Sequence, residues 1–112
     1  MHIPTTEFIS VYNQFPTYGH AYENVACPYD GPTIVDSMIR KGNVQWLMVG
    51  HNHRNDYGGI YETSEGSIEL MFGRKSGFGG YSLNGYRTMG GRVMDLVYEE
   101  DEGFRIISEH FI

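Results

Sequence analysis

Cysteine is almost missing from this 112-residue sequence. The single one, Cys27, cannot build an internal disulfide framework, which excludes a knottin-like scaffold and a cysteine-rich zinc finger. Basic side chains are also scarce, 8 Lys and Arg against 14 Asp and Glu, for a formal net charge of −6. A broad phosphate-neutralising surface needs clustered Lys and Arg, so no nucleic-acid partner is expected, while excess negative charge favours a site that uses metal cations. Long apolar runs are missing as well. The longest, residues 44–49 with Gln45 inside it, falls far short of the roughly 20 residues that span a bilayer, so no membrane segment is expected. Met1-His2-Ile3-Pro4 carries neither a basic leader nor an apolar signal core. Repeats and low-complexity stretches are absent, and the longest charge block is Glu99-Glu100-Asp101-Glu102.

What is present is 40% hydrophobic and 14% aromatic, too much for a disordered chain and enough for one compact domain. Residues 6–13 suit a short helix with Phe8, Ile9 and Tyr12 on one face, within a Pro-, Tyr-, Asn- and Gly-rich stretch that is otherwise loop. Residues 33–41 predict a helix. Ile34, Val35, Met38 and Ile39 share a face, Thr33 can cap the start, and Arg40, Lys41 and Gly42 mark the end. Residues 44–49 then read as a buried strand between Gly42-Asn43 and Gly50, and a helix followed by a buried strand suggests an α/β layer. Beyond Tyr57 the helical period disappears. Residues 67–72, 91–99 and 104–111 are strand candidates, the last two forming an antiparallel hairpin around the acidic turn. The fold class is therefore mixed α/β (α+β), with a β-rich C-terminal portion.

The segment that carries chemistry is Val49-Gly50-His51-Asn52-His53-Arg54-Asn55-Asp56, which places two imidazoles directly after a buried strand. His51 and His53 can converge on one metal ion or diverge toward two, and neutral imidazole suits Zn, Fe, Mn or Ni; an exposed polar turn is the plainer alternative. His2, fixed by the following Ile3-Pro4, is a third candidate ligand. Asn55 and Asp56 are candidates for holding an imidazole from behind or, for Asp56, for accepting a proton, although Asn-Asp is also an ordinary turn. His20 and His110 read as solvated or locally bonded. The glycine-rich residues 73–81 lack the order of a phosphate-binding P-loop, and Arg74 and Lys75 within them either face an anionic substrate or, more ordinarily, solvent. Cys27, followed by Pro28 and lacking a basic neighbour, reads as a packed or merely free thiol and not a nucleophile.

Taken in order, His2-Ile3-Pro4, the stretch from Tyr18-Gly19 to Glu23, Cys27-Pro28, Gly50-His51-Asn52-His53-Arg54-Asn55-Asp56-Tyr57, Gly73-Arg74-Lys75-Ser76-Gly77-Phe78-Gly79-Gly80-Tyr81 and Gly91-Arg92-Val93 resemble the C-terminal half of a calcineurin-like metallophosphoesterase. The branch is the fungal and plant one labelled purple acid phosphatase 29-like. The resemblance runs from Met1 to about Leu96 and is far more specific than Gly-His-x-His alone. It implies a four-layer α-β-β-α sandwich with two metal ions, Fe, Zn or Mn, at the strand ends, hydrolysing phosphate esters. By motif position it implies His2 and His51 as ligands of one ion and His53 as a ligand of the other, with no settled role for Asn55 and Asp56. Two departures stand out. Asn55-Asp56-Tyr57-Gly58 stands where relatives often have Asn-Asp-Phe-Cys, and the family's D-x-H, G-D-x-x-D and G-N-H-[DE] motifs do not occur. Residues 1–112 thus read as the C-terminal part of a single phosphoesterase domain whose N-terminal half is absent.

Two cations roughly 3.5 to 4 Å apart repel strongly, and three neutral imidazoles supply no compensating charge. The expectation is little or no phosphatase activity from this chain alone. Half a sandwich also leaves apolar faces and strand edges uncovered, so self-association or a complementing N-terminal half is expected. Two further readings are a non-catalytic β-rich binding module with vestigial histidines and a mononuclear three-histidine metal protein.

Overall fold

A computed structural model describes residues 1–27, 34–81 and 89–112, and the side chains of all of these except residues 107–110. Helix α1 (Glu7–Gln14) lies where the sequence predicts one, but its buried face is Glu7, Phe8 and Val11. Ile9 and Tyr12 are exposed, so the apolar contact follows the i, i+3 pair Phe8 and Val11. Helix α2 (Ile34–Lys41) buries Val35 and Ile39 at i, i+4, with Asp36 in its first turn and Arg40 and Lys41 in its last, each matched to the helix dipole. The expected Thr33 cap lies outside the described residues.

Strands β1 (Thr17–Tyr18), β2 (Trp46–Val49), β3 (Gly58–Thr63) and β4 (Gly66–Phe72) form one sheet in the order β1-β3-β4-β2. β3 and β4 are an antiparallel hairpin, and β2 joins β4 in parallel, with Val49 opposite Phe72. β3 and β1 are additions to the sequence reading. The reason lies in Gly58 and Gly59, which interrupt any apolar alternation because packing demands it. A Cβ on Gly59 would sit 2.9 Å from Val11 Cγ1, and one on Gly58 2.5 Å from the Tyr18 hydroxyl. Both helices pack on one face, α1 over β3 and β4, α2 over β4. There Phe8, Val11, Val35, Ile39, Leu47, Val49, Ile68, Leu70 and Phe72 form the core, each large apolar side chain contributing about 1.5–3 kcal/mol on burial. Tyr57 completes it, its ring 5.0 Å from that of Phe72 and its hydroxyl donating to Phe8 O at 2.7 Å.

Strands β5 (Arg92–Glu99) and β6 (Gly103–Phe111) form the expected antiparallel hairpin, with an irregularity between Asp95 and Leu96. Arg92 ties it to the main sheet. Its guanidinium donates to Phe72 O at 3.0 Å and to Asp56 O at 2.6 Å, and stands 4.7 Å from the centre of the Phe111 ring. Met71 is buried on the sheet face opposite the helices, but Met48 and Ile60 on that face are exposed, as are Leu96, Tyr98 and Phe104 on the hairpin. Sheets dominate this mixed α+β architecture. Among the described residues no helix is long and apolar enough to cross a membrane.

Candidate functional site

Because β2 and β4 run parallel and side by side, the segments leaving their C-terminal ends emerge at the same edge of the sheet. These are the two segments rich in functional residues, 50–57 after β2 and 73–81 after β4. The N-terminal residues arrive from the other side. Gln45 and Val49 carbonyls face β4, accepting from Glu69 and Gly73 N–H, so Met48 and Gly50 face away from it. There Met1 N donates to Met48 O at 2.9 Å, and Gly50 N donates to His2 O at 3.0 Å. This pairing sets the His2 ring edge-on to the His51 ring, centroids 5.2 Å apart.

His51 has φ of +70°, the one non-glycine residue with positive φ among those described. Asn52 N donates to Gly50 O at 2.8 Å across it, which makes His51 the centre of a γ-turn of the rare positive-φ kind. Such backbone costs on the order of 1–3 kcal/mol and persists only where neighbours over-determine it. Here the neighbours are Asn52, Asn55 and Asp56, all buried. Asn52 Oδ1 accepts from Ala26 N at 3.2 Å, and its amide donates to Asn24 O at 3.0 Å. Asn55 Oδ1 accepts from Tyr22 N and Glu23 N, and its amide donates to Glu23 O. Two asparagines thus stitch the loop after β2 to residues 22–26.

Asp56 uses both carboxylate oxygens. Oδ2 accepts from Arg74 Nε at 3.0 Å and Nη2 at 2.7 Å, while Oδ1 accepts from His20 N at 2.7 Å and lies 3.2 Å from His20 Nδ1. The imidazole beside Asp56 is that of His20. Among the described residues neither Asn55 nor Asp56 bonds the ring of His2, His51 or His53. They bond residues 20–23 and Arg74 instead, and Arg74 is drawn out of solvent into an ion pair. Lys75 reaches its own loop, donating to Gly77 O. His20 has an exposed ring held at Nδ1, as a locally bonded histidine.

The chain is similar to a purple acid phosphatase. It is 28% identical over 85 residues, 76% of its length, to the Arabidopsis thaliana protein named probable inactive purple acid phosphatase 29. It spans 21% of that protein's length. No family model matches, and no solved structure matches. The similarity supports a relationship to the purple acid phosphatase family.

His2 and His51 offer two neighbouring exposed imidazoles, which suit Fe, Zn or Mn. His53 stands apart from that pair in its bonding, stacked on Tyr81 with centroids 4.2 Å apart. Among the described residues no three His, Cys, Asp or Glu side chains are grouped to hold an ion. The site residues that sequence reasoning missed are Asn52, Glu23, Tyr81 and Arg92. Asparagine at positions 52 and 55 of a loop leaving a buried strand was the available signal, because short amides bond main-chain groups readily.

Proposed function

We propose that this chain supplies the C-terminal, histidine-bearing part of a metal-dependent phosphoesterase site, and that alone it has little or no catalytic activity. The observation that carries the proposal is His2 seated against His51 at the end of β2, beside a strained backbone that buried side chains hold in place. His2 and His51 are the ligands for one ion and His53 a ligand for a second. When bound, such paired ions lower the pKa of a water and polarise the phosphoryl group. The carboxylates that offset two adjacent divalent charges come from an N-terminal half of the same domain, outside these residues. The Arabidopsis relative is named a probable inactive phosphatase, which agrees with little or no catalysis by this chain.

The test joins metal binding to turnover. Zinc or manganese titrated into the chain should bind weakly through His2 and His51, and His2→Ala or His51→Ala should each abolish that binding. p-Nitrophenyl phosphate should not be hydrolysed. Turnover by the purified chain that His51→Ala removes would overturn the claim of inactivity, and metal binding unchanged in both variants would overturn the ligand assignment. A second reading, a non-catalytic binding module, is favoured by one observation, the exposed Leu96, Tyr98 and Phe104 on the β5–β6 hairpin. It predicts partner capture that Tyr98→Ser abolishes and His51→Ala leaves intact.

A further inference from the structure

A cavity of about 630 Å³ opens between α1 and residues 21–25, within the roughly 300–1,000 Å³ of small-molecule sites, and none of His2, His51 and His53 lines it. Its walls are aromatic. Tyr12 on α1 and Tyr22 on the facing segment are both exposed, and Tyr57, fully buried, forms the inner wall, its ring 5.1 Å from that of Tyr12 and tilted by 54°. Ile9, exposed one turn before Tyr12, adds an apolar side chain. Ile9 and Tyr12 are the two α1 side chains that suit a core by sequence and stay outside it in the fold. The facing wall is held in place by its own bonds. Tyr22 N donates to Asn55 Oδ1 at 3.0 Å, and the Tyr22 ring stacks on that of His20 with centroids 5.2 Å apart and 12° between planes. Glu23, the next residue, supplies charge. The donors to its carboxylate are the Tyr81 hydroxyl and the main-chain N–H of Arg54, both neutral, so the negative charge stays whole. No Lys or Arg is among the described residues that line the cavity.

These walls constrain the charge of a ligand. An anion meets a carboxylate and no cation. A hard metal ion needs several oxygen ligands and finds one carboxylate, already engaged. A large, weakly hydrated organic cation suits both features, because tyrosine faces attract it through their quadrupoles and the nearby carboxylate adds attraction over a longer range. We propose that this cavity binds a quaternary ammonium group, held by Tyr12 and Tyr22 beside Glu23. The proposal is independent of the metal-site reading, since it uses none of the three histidines.

The test varies charge at constant shape. Choline and its neutral isostere, in which a tert-butyl group replaces trimethylammonium, are titrated into the 112-residue chain and followed by amide proton–nitrogen spectra. Choline should shift the amides of Tyr12 and residues 21–25 and leave those of β5 and β6 in place. The isostere should bind about 2–30-fold more weakly. Tyr12→Leu keeps an apolar contact on Tyr57 and removes the π face, so it should weaken choline by about that factor, whereas Tyr12→Phe should retain it. Glu23→Gln keeps an acceptor for Arg54 N–H and loses the charge, so it should weaken choline and leave the isostere unmoved. A peptide carrying trimethyllysine presents the same group from a protein, and whichever of the two cations binds more tightly identifies the source. Equal affinity for choline and its isostere in the unmodified chain overturns the proposal, whether or not any variant folds. Failure of both cations to bind overturns it too, as does a choline affinity that a folded Tyr12→Leu chain leaves unchanged.

Discussion

Replacing Asn55 with Ala removes the side chain that makes the most bonds between the loop after β2 and residues 22–26. Three hydrogen bonds go: Oδ1 to Tyr22 N at 3.0 Å, Oδ1 to Glu23 N at 3.1 Å, and Nδ2 to Glu23 O at 3.0 Å. The side chain is 1% exposed, so little water stands by to replace it. Each bond is worth about 0.5–1.5 kcal/mol net, and a buried partner left unsatisfied costs more. Tyr22 N keeps a second, longer acceptor in Arg54 O at 3.3 Å, which softens one of the three losses. The expected cost is about 2–4 kcal/mol. Amide hydrogen exchange is the right assay, because the damage is local before it is global. The Glu23 amide should lose the most protection, Tyr22 less, and strands β3 and β4 should change only by the global loss. Asn52→Ala, which deletes two bonds to Asn24 and Ala26, should act on those residues and cost less. If Asn55→Ala costs under about 0.5 kcal/mol, or leaves Glu23 exchange unchanged, the asparagine stitching does not hold the loop.

His51→Gly should relieve the positive-φ strain and stabilise the chain by about 1 kcal/mol in urea denaturation while abolishing metal binding; a destabilised variant would contradict the strain argument. Arg92→Lys exchanges a planar fork for a point charge and cannot reach Phe72 O and Asp56 O while stacking on Phe111, so it should cost about 2–3 kcal/mol and raise proteolysis of the β5–β6 hairpin before that of the main sheet. Alkaline pH should unfold the chain through tyrosines, Tyr57 and Tyr18 above all, with Tyr61 also raised by burial. Burial raises the Tyr57 hydroxyl well above its ordinary 10, and burial with the Glu69 carboxylate pushes Tyr18 up to about 12. Raised values mean that their stabilisation is complete below pH 10 and is lost as pH climbs through the folded values. The denaturation midpoint should therefore hold to about pH 10 and fall beyond it, and Tyr57→Phe should flatten that fall.

The elements legible in the sequence are those whose reason is local. Val35 and Ile39 set a helical face for α2, Leu47 and Val49 alternate along β2, and the turn at residues 99–103 joins two strand-like runs. What stayed hidden depends on distant partners. β3 opens with Gly58 and Gly59, residues that weaken a strand in isolation and become necessary only when Val11 and Tyr18 press on them. Arg92 carries no sequence mark of its role, because its acceptors are main-chain oxygens of Phe72 and Asp56. The candidate site divides the same way. His51 and His53 announce themselves by spacing, but His2 becomes the neighbour of His51 only through main-chain pairing along the side of β2 that faces away from β4.

That pairing also bears on where the missing charge must enter. Asp56, the acidic residue nearest in sequence to the histidine pair, is spent on Arg74 and His20, and Glu23 is spent on Tyr81 and Arg54. Neither can turn toward an ion without giving up its bonds to the partly buried Arg74 or to the loop that carries His53. Asp56 and Glu23 thus serve the scaffold, and among the described residues no three His, Cys, Asp or Glu side chains are grouped to hold an ion. For the proposed paired-metal site to form, carboxylates would have to reach His2 and His51, whose rings are both exposed.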